Sequence, residues 1–470
     1  METTDHKISL SQRLIDHFEK HSAELSENES ERMIGLRKDA IDHFKQVQFP
    51  KGKEEKWRNT EISWIEKEDF RLPYLNSYKF KGDVQDLLRC EIHDFETTML
   101  TIVNGWFVNE EPLHVFDNGV IMGSVLEARK QFPELVEKYY GKVADYKLDG
   151  FTAINTALSR DGIFIYVPKN VVIEKPVQMV SLITEEANLF VQNRNLVVLE
   201  ANSKLTLVQC DDSNNHDTSF ANSLTEIFVE DNANLERYKL QNLNDNSVLI
   251  NSSFIRQSRD SNLATTAVTY NGGIIRNNIV VNLEGENSFA DVRGLYLMDK
   301  EQHVDNQVYI NHAVPNCNSN ELFKGILDDE ASAVFNGYVY VAKDAQKTNA
   351  FQNNRNILLK PTAHIDTMPF LEIYADDVKC SHGATVGQLD TEAMFYLRQR
   401  GINFENARML LMYAFAAEVI KDINIDALRE RIDDMVKKRL RGELSICDKC
   451  VLHCGSPEQT LNIEIDPSKI

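Results

Sequence analysis

The stretch LEANSKL, residues 199–205, joins the apolar run LVVLE to the apolar run LTLVQC through a short polar turn. Its pattern returns as VEDNANL from Val229, LEGENSF from Leu283 and LDDEASA from Leu327. Each passes from an apolar residue to an acidic one, through turn-type residues, and back to an apolar or small position. A single strand, acidic turn, strand unit cannot bury its inner face alone. Its recurrence without intervening helices therefore predicts a solenoid of stacked β-turns. A β-sandwich is the rival architecture, and it is disfavoured because two-residue hairpin signals are few. The four connections are irregularly spaced, whereas a strict β-helix repeats at a fixed period.

Around these turns, from Gly162 onward, short β-type runs follow one another: IFIYV, PVQMVSLI, EIFVE, NIVVNLE, VYVAK, NILLK and FLEIYA. Helical periodicity is nearly absent for two hundred residues and present on both sides. From Ser9 to about Asp69 the pattern is helical, broken at Pro50 and Gly52. VNGWFVNEEPL reads as a hairpin around Asn104 and Gly105, and VLEARKQFPELVEKYY as an interrupted helix. After Gly387, Asp390 is placed to cap TEAMFYLRQR and Gly401 to end it. Asn403 is placed to cap FENARMLLMYAFAAEVI, and Asn424 to cap IDALRERIDDMVKKRL. Ile425, Leu428, Ile432, Met435 and Leu440 form one apolar stripe on the last helix. The expected organisation is an N-terminal helical domain (1–95), a mixed α/β entry segment (96–160), a β-helix core (161–388), a C-terminal helical domain (389–444) and a Cys-rich tail (445–470). The C-terminal bundle is expected either to cap the open end of the solenoid or to dock a partner.

Charge narrows the partners. With 51 Lys and Arg against 72 Asp and Glu, a net −21, a nucleic-acid backbone or anionic membrane is disfavoured as principal partner. METTDHKISLSQRL lacks the apolar core of a signal peptide, and the apolar run MLLMYAFAAEVI is too short to span a bilayer. A cytoplasmic protein is expected, its seven cysteines reduced rather than paired. A secreted, polysaccharide-active β-helix enzyme is disfavoured on the same ground.

GATVGQ at Gly383 lacks the Lys and Ser/Thr of a phosphate loop, and neither GxSxG nor HExxH is present. ATP hydrolysis, serine-hydrolase and zincin chemistry thus have no support. Two places hold ligand-type residues. In ADDVKCSHGATVG, residues 375–387, an extended backbone puts Cys380 and His382 on one face. That pair suits a metal, or equally a buried thiol beside a satisfied histidine. In ICDKCVLHCGSPEQT, Cys447, Cys450, His453 and Cys454 offer four soft ligands within eight residues, for zinc or an iron-sulfur centre. A mobile thiol pair and an inert tail are the other readings. His303, His312 and His364 are expected to be satisfied by local partners, with His312 the one to follow.

The run FLEIYADDVKCSHGATVGQLDTEAMFYLRQRGI, residues 370–402, resembles the signature of the SufB/SufD family of iron-sulfur cluster assembly proteins. FTAINTALSRDGIFIYVPKNVVIEKPV from Phe151 and FPKGKEEKWRNT from Phe49 are similar to other parts of that family. Gly383 after the histidine, and the absence of cysteine from AFQNNRNILLK at Ala350, look like the SufD type rather than the SufB type. The resemblance implies a right-handed parallel β-helix between helical domains and a non-catalytic scaffold. It further implies pairing with a SufB-like paralogue, docking of a SufC-type ABC ATPase on the C-terminal helices, and a transient iron-sulfur cluster or iron shared at the paralogue interface. By motif match His382 is the histidine near that interface and Cys380 its neighbour, with no ATP bound by this chain. The CDKCVLHC tail departs from the family pattern. An autonomous metal or redox protein using that tail is the alternative function.

Overall fold

The computed structural model describes residues 8–27, 29–52, 54–72, 96–184, 188–214 and 217–441. Its centre is a parallel β-solenoid. From β5 (Ile163–Val167) to β20 (Val378–Gly387) successive strands alternate between two ten-stranded sheets, each strand pairing in parallel with the one two positions on. Alternation along each strand sends every second side chain inward. Leu205 and Leu207 on β8 (Lys204–Ser213) and Val197 and Leu199 on β7 (Phe190–Leu199) thus join one axial apolar core.

The corners explain why the turn pattern recurs. Asn202, Asn232, Asn287 and Asp329, one in each of the four connections, have φ of 60°, 56°, 61° and 50°. Asn and Asp reach this left-handed region at lower cost than other L-residues. Asn232 donates from Nδ2 to Asn202 Oδ1 at 2.9 Å, and Asn202 to Asn170 Oδ1 at 2.7 Å, so the corners stack as an asparagine ladder. Asp260, at φ 56°, makes a further corner in QSRDSNL, which lacks the apolar-acidic opening of the others. Coil length varies. Asn222 meets Gln192 across 30 residues, whereas Asn251 meets Asn277 across 26. The irregular spacing arises mainly because the strands ending at Leu199, Val229 and Leu283 leave one sheet, with the Asp260 corner between the last two, whereas the strand ending at Leu327 leaves the other sheet and turns the opposite corner.

The interior is not uniformly apolar. Arg237 binds Gln209 and reaches across to Ser253 at 3.0 Å, and Gln241 donates to Asn277 at 2.8 Å, all fully buried. Buried polar groups with partners are tolerated, and here they tie one sheet to the other.

Helices cover both flanks. α1 (Leu10–Leu25), α2 (Glu31–Val47) and α5 (Gly150–Leu158) bring Leu14, Phe44 and Phe151 against Phe190 and Phe220 on the outer face of one sheet. Beyond α2 the helical pattern continues only as short 3-10 turns at Glu55–Trp57 and Ser63–Lys67. The Asn104–Gly105 hairpin forms between β1 (Thr98–Val103) and β2 (Trp106–Phe107). The interrupted helix is α3 (Val125–Gln131) and α4 (Pro133–Tyr139), with Pro133 starting the second piece. That hairpin and the antiparallel pair of β3 (Leu113–Val115) and β4 (Ile121–Ser124) close the N-terminal end of the sheets.

The C-terminal helices α6 (Thr391–Gln399), α7 (Phe404–Ile420) and α8 (Asp426–Leu440) correct one expectation. They do not cap the end of the solenoid. Met412, Val419, Leu428 and Ile432 pack on Val208, Tyr238, Val268, Leu295 and Ile326, the outer face of the other sheet. Asp390 and Asn403 cap α6 and α7, and Gly401 follows α6 at φ 86°. Asn424 is not a cap: its backbone N–H donates to the Tyr238 hydroxyl and its side chain to Glu236, so it fastens the helix pair to the sheet.

Candidate functional site

Since the helices lie on the flank, the last coil has nothing above it among the described residues. It consists of β19 (His364–Ile373) and β20, each the terminal strand of its sheet. Phe370, Ile373, Tyr374 and Val386 are exposed there and Phe351 one coil below, an apolar rim on a protein whose other large hydrophobics are mostly buried among the described residues. Tyr309, Tyr338 and Phe370 form an aromatic column, with ring centroids 5.4 Å and 6.1 Å apart, that runs off the same end. Pro369 interrupts the hydrogen-bonding edge of β19, whereas β20 has ten residues and no proline.

Cys380 and His382 sit on β20 with their side chains on the same, inward-turned face, as the alternation requires. Their registers show it: Cys380 lies on Ala350 and His382 on Gln352, and both lower residues are buried. Their environments differ. Cys380 is half-buried against the satellite core of Val339, Val341, Ala345 and Ala350, and burial pushes its thiol pKa up. His382 is exposed. The thiol therefore behaves first as a packed group, while the imidazole is open to whatever covers the coil.

Below His382 the same column descends into the interior. Gln352, on β18 (Thr348–Leu358), donates from Nε2 to Glu321 Oε2, on β16 (Asn318–Leu327), at 3.0 Å. Burial pushes the Glu321 carboxyl up to about 8, and the Gln352 amide opposes that only in part. Neither residue stands out in sequence, because a buried Glu is recognised only once coils stack.

His312 is buried with Nε2 2.9 Å from Ser319 Oγ, and burial lowers it to about 4. His303 sits between Thr60 and Ser332, 3.0 and 2.7 Å away, its pKa lowered by burial. His364 is exposed, 3.2 Å from Asp366. Local partners satisfy His303 and His364, as expected, whereas His312 keeps Nδ1 buried without one. Cys210, Cys317 and Cys380 are free thiols. Cys447, Cys450, His453 and Cys454 lie outside the described residues. Among the described residues no three His, Cys, Asp or Glu side chains cluster as a metal site. No helix there is long and apolar enough to cross a membrane.

A second surface is made by α6, none of whose residues is buried, and where Phe395 and Tyr396 are 64% and 55% exposed. Phe404, at the start of α7, is exposed beside them in the chain. Sequence reading missed these aromatics because capping signals reveal a helix and not which face it leaves bare.

Among the described residues, one end of the solenoid is thus uncovered and carries Cys380 and His382, and one helix on the flank presents bare aromatics. The model of the SufBD core domain of the SUF system for FeS cluster assembly matches residues 182–415, and that of the SufBD protein N-terminal region matches residues 8–179. The chain belongs to the SufBD family of iron-sulfur cluster assembly proteins. It is 30% identical to a SufBD family protein of Synechocystis over 89% of this chain and 94% of that one. Identity to the iron-sulfur cluster assembly protein SufD of Bacillus subtilis is 29%, over 93% and 99%. For SufD of Escherichia coli it is 36%, over 55% and 61%.

Proposed function

We propose that this chain is the SufD-type scaffold subunit of an iron-sulfur cluster assembly complex, pairing through its open coil with a SufB-like paralogue. The observation that carries the reading is the uncovered β20 edge, with an exposed histidine inside an apolar rim. An unpaired strand edge is a template for another strand. His382 supplies one imidazole donor there, and the paralogue supplies the remaining ligands of iron or a nascent cluster, which is cargo. Cys380 is a secondary neighbour, its thiolate disfavoured by burial.

A SufC-type ABC ATPase docks on α6 and the start of α7, where the aromatics are bare. Its ATP-driven rearrangement reaches the solenoid through α7 and α8. These are fastened by Lys324 to Glu418 and by Arg439, which donates to Asp299 at 2.6 Å and to the Tyr270 carbonyl at 3.0 Å. The chain itself turns nothing over.

The test is anaerobic affinity purification of the tagged chain, followed by cluster assembly with the recovered complex. The reading requires a SufB-like protein and a P-loop ATPase in stoichiometric yield. His382→Ala should leave both bound while cluster yield falls at least tenfold. Unchanged yield would remove His382 from the site, and a chain recovered alone with bound metal would overturn the scaffold reading.

A further inference from the structure

The column beneath His382 contains an unfinished hydrogen-bond chain. Register places Glu321, Gln352 and His382 directly above one another on β16, β18 and β20, with about 4.8 Å between neighbouring strands. Glu321 and Gln352 are 2% and 1% exposed. The Gln352 amide is fixed from two sides. Its nitrogen donates to Glu321, and across the interior it lies against Gly337 on β17 (Ser332–Val341). A Cβ at position 337 would stand 2.1 Å from that nitrogen, so the amide occupies space only glycine leaves. Anchored through nitrogen, the amide turns its oxygen elsewhere, and Gln352 Oε1 is buried without a partner, as is the second carboxyl oxygen, Glu321 Oε1. A buried acceptor left unpaired is unfavourable, and the residue stacked on it carries a ring N–H.

We propose that Gln352 is a positioning residue for His382: its amide oxygen accepts from one imidazole nitrogen, so that the other keeps its lone pair toward the open end. Glu321 and Gly337 hold the amide in the orientation that does this. A ring nitrogen that donates inward fixes the tautomer and aims the opposite nitrogen at an incoming ion, the role outer hydrogen-bond partners play at metal sites. The two residues share one face of adjacent strands, which makes the exposed ring and the amide direct neighbours in the column. This inference rests on His382 being the donor at the open coil, and it adds why a lone, solvent-exposed histidine is a prepared ligand there.

The test uses the full chain labelled with 15N-histidine at pH 8, where imidazole is neutral. The His382 ring nitrogens are identified by the signals lost in His382→Ala. Wild type should show one dominant tautomer. Gln352→Leu, of similar volume and without an acceptor, should change the tautomer ratio at least threefold, with the signals of buried His303 and His312 unmoved as the control for folding. An equal ratio in wild type and Gln352→Leu would overturn the proposal even if His382→Ala abolishes cluster formation. A shifted ratio upholds it, and unchanged cluster yield in His382→Ala would then refute the function assigned to the histidine and not its positioning.

Discussion

At the scale of single residues, Glu321 makes a measurable commitment. Its folded pKa of about 8 lies above the ordinary 4.5, so the folded chain holds this proton where the unfolded chain has released it. Between those values stability must fall as pH rises, by up to about 1.4 kcal/mol per pH unit from this group. Urea midpoints at pH 5.5 and 8 should show the loss in wild type and a flatter dependence in Glu321→Gln, which keeps a neutral group in place. Equal slopes in the two proteins would mean that Glu321 is not desolvated. His312 acts at the other end of the range. Lowered to about 4, it subtracts stability as pH falls below its ordinary 6.5, so it offsets part of the change between pH 5.5 and 6.5 equally in wild type and Glu321→Gln and leaves their difference intact. The shared face of Cys380 and His382 was legible in sequence, because a period of two needs no knowledge of the fold. The difference between them was not, since Cys380 is packed by Val339 and Val341, about forty residues earlier and in the other sheet.

At the scale of elements, corners and helices separate stability from recognition. Asn232 adopts φ 56° and donates along the asparagine ladder. Asn232→Ala should lower stability by about 1–3 kcal/mol, combining left-handed strain with a lost hydrogen bond. Asn232→Gly, relieved of the strain, should lose less, and an Ala variant as stable as the Gly one would contradict the backbone argument. In α8, Leu428 is fully buried, and Leu428→Ala should destabilise by about 2–5 kcal/mol in a urea titration. Tyr396→Ala in α6 removes an exposed ring whose contact is with exposed Arg400, and should stay within about 0.5 kcal/mol of wild type while the proposed ATPase binding is lost. Asp390 and Asn403 were readable as caps because capping is local. Asn424 has the same local signature, but its bonds to Tyr238 and Glu236 join residues nearly two hundred positions apart, and no window of sequence contains both.

For the whole molecule, the question is why a solenoid stops where it does. The N-terminal end turns antiparallel, which closes it, whereas the C-terminal end keeps parallel strands to the last residue of β20 and then sends the chain to the flank. An open parallel end invites further coils, which in an isolated chain is an aggregation hazard and in a heteromer is the joint. Val386 separates these. It stacks on Asn356 inside the last coil and is 47% exposed, so nothing among the described residues depends on covering it. Val386→Asp should leave the melting temperature within about 2 °C of wild type, as expected for an exposed substitution. Against a partner coil, the same carboxylate becomes a buried, unpaired charge at about 3–5 kcal/mol. That corresponds to a loss of roughly a hundredfold to a thousandfold or more in affinity. Light scattering after size exclusion should therefore find wild type joined to the proposed SufB-like paralogue and Val386→Asp separate and folded. A variant that still pairs stoichiometrically would place the joint away from the open coil, and His382 with it away from any cluster built between two chains.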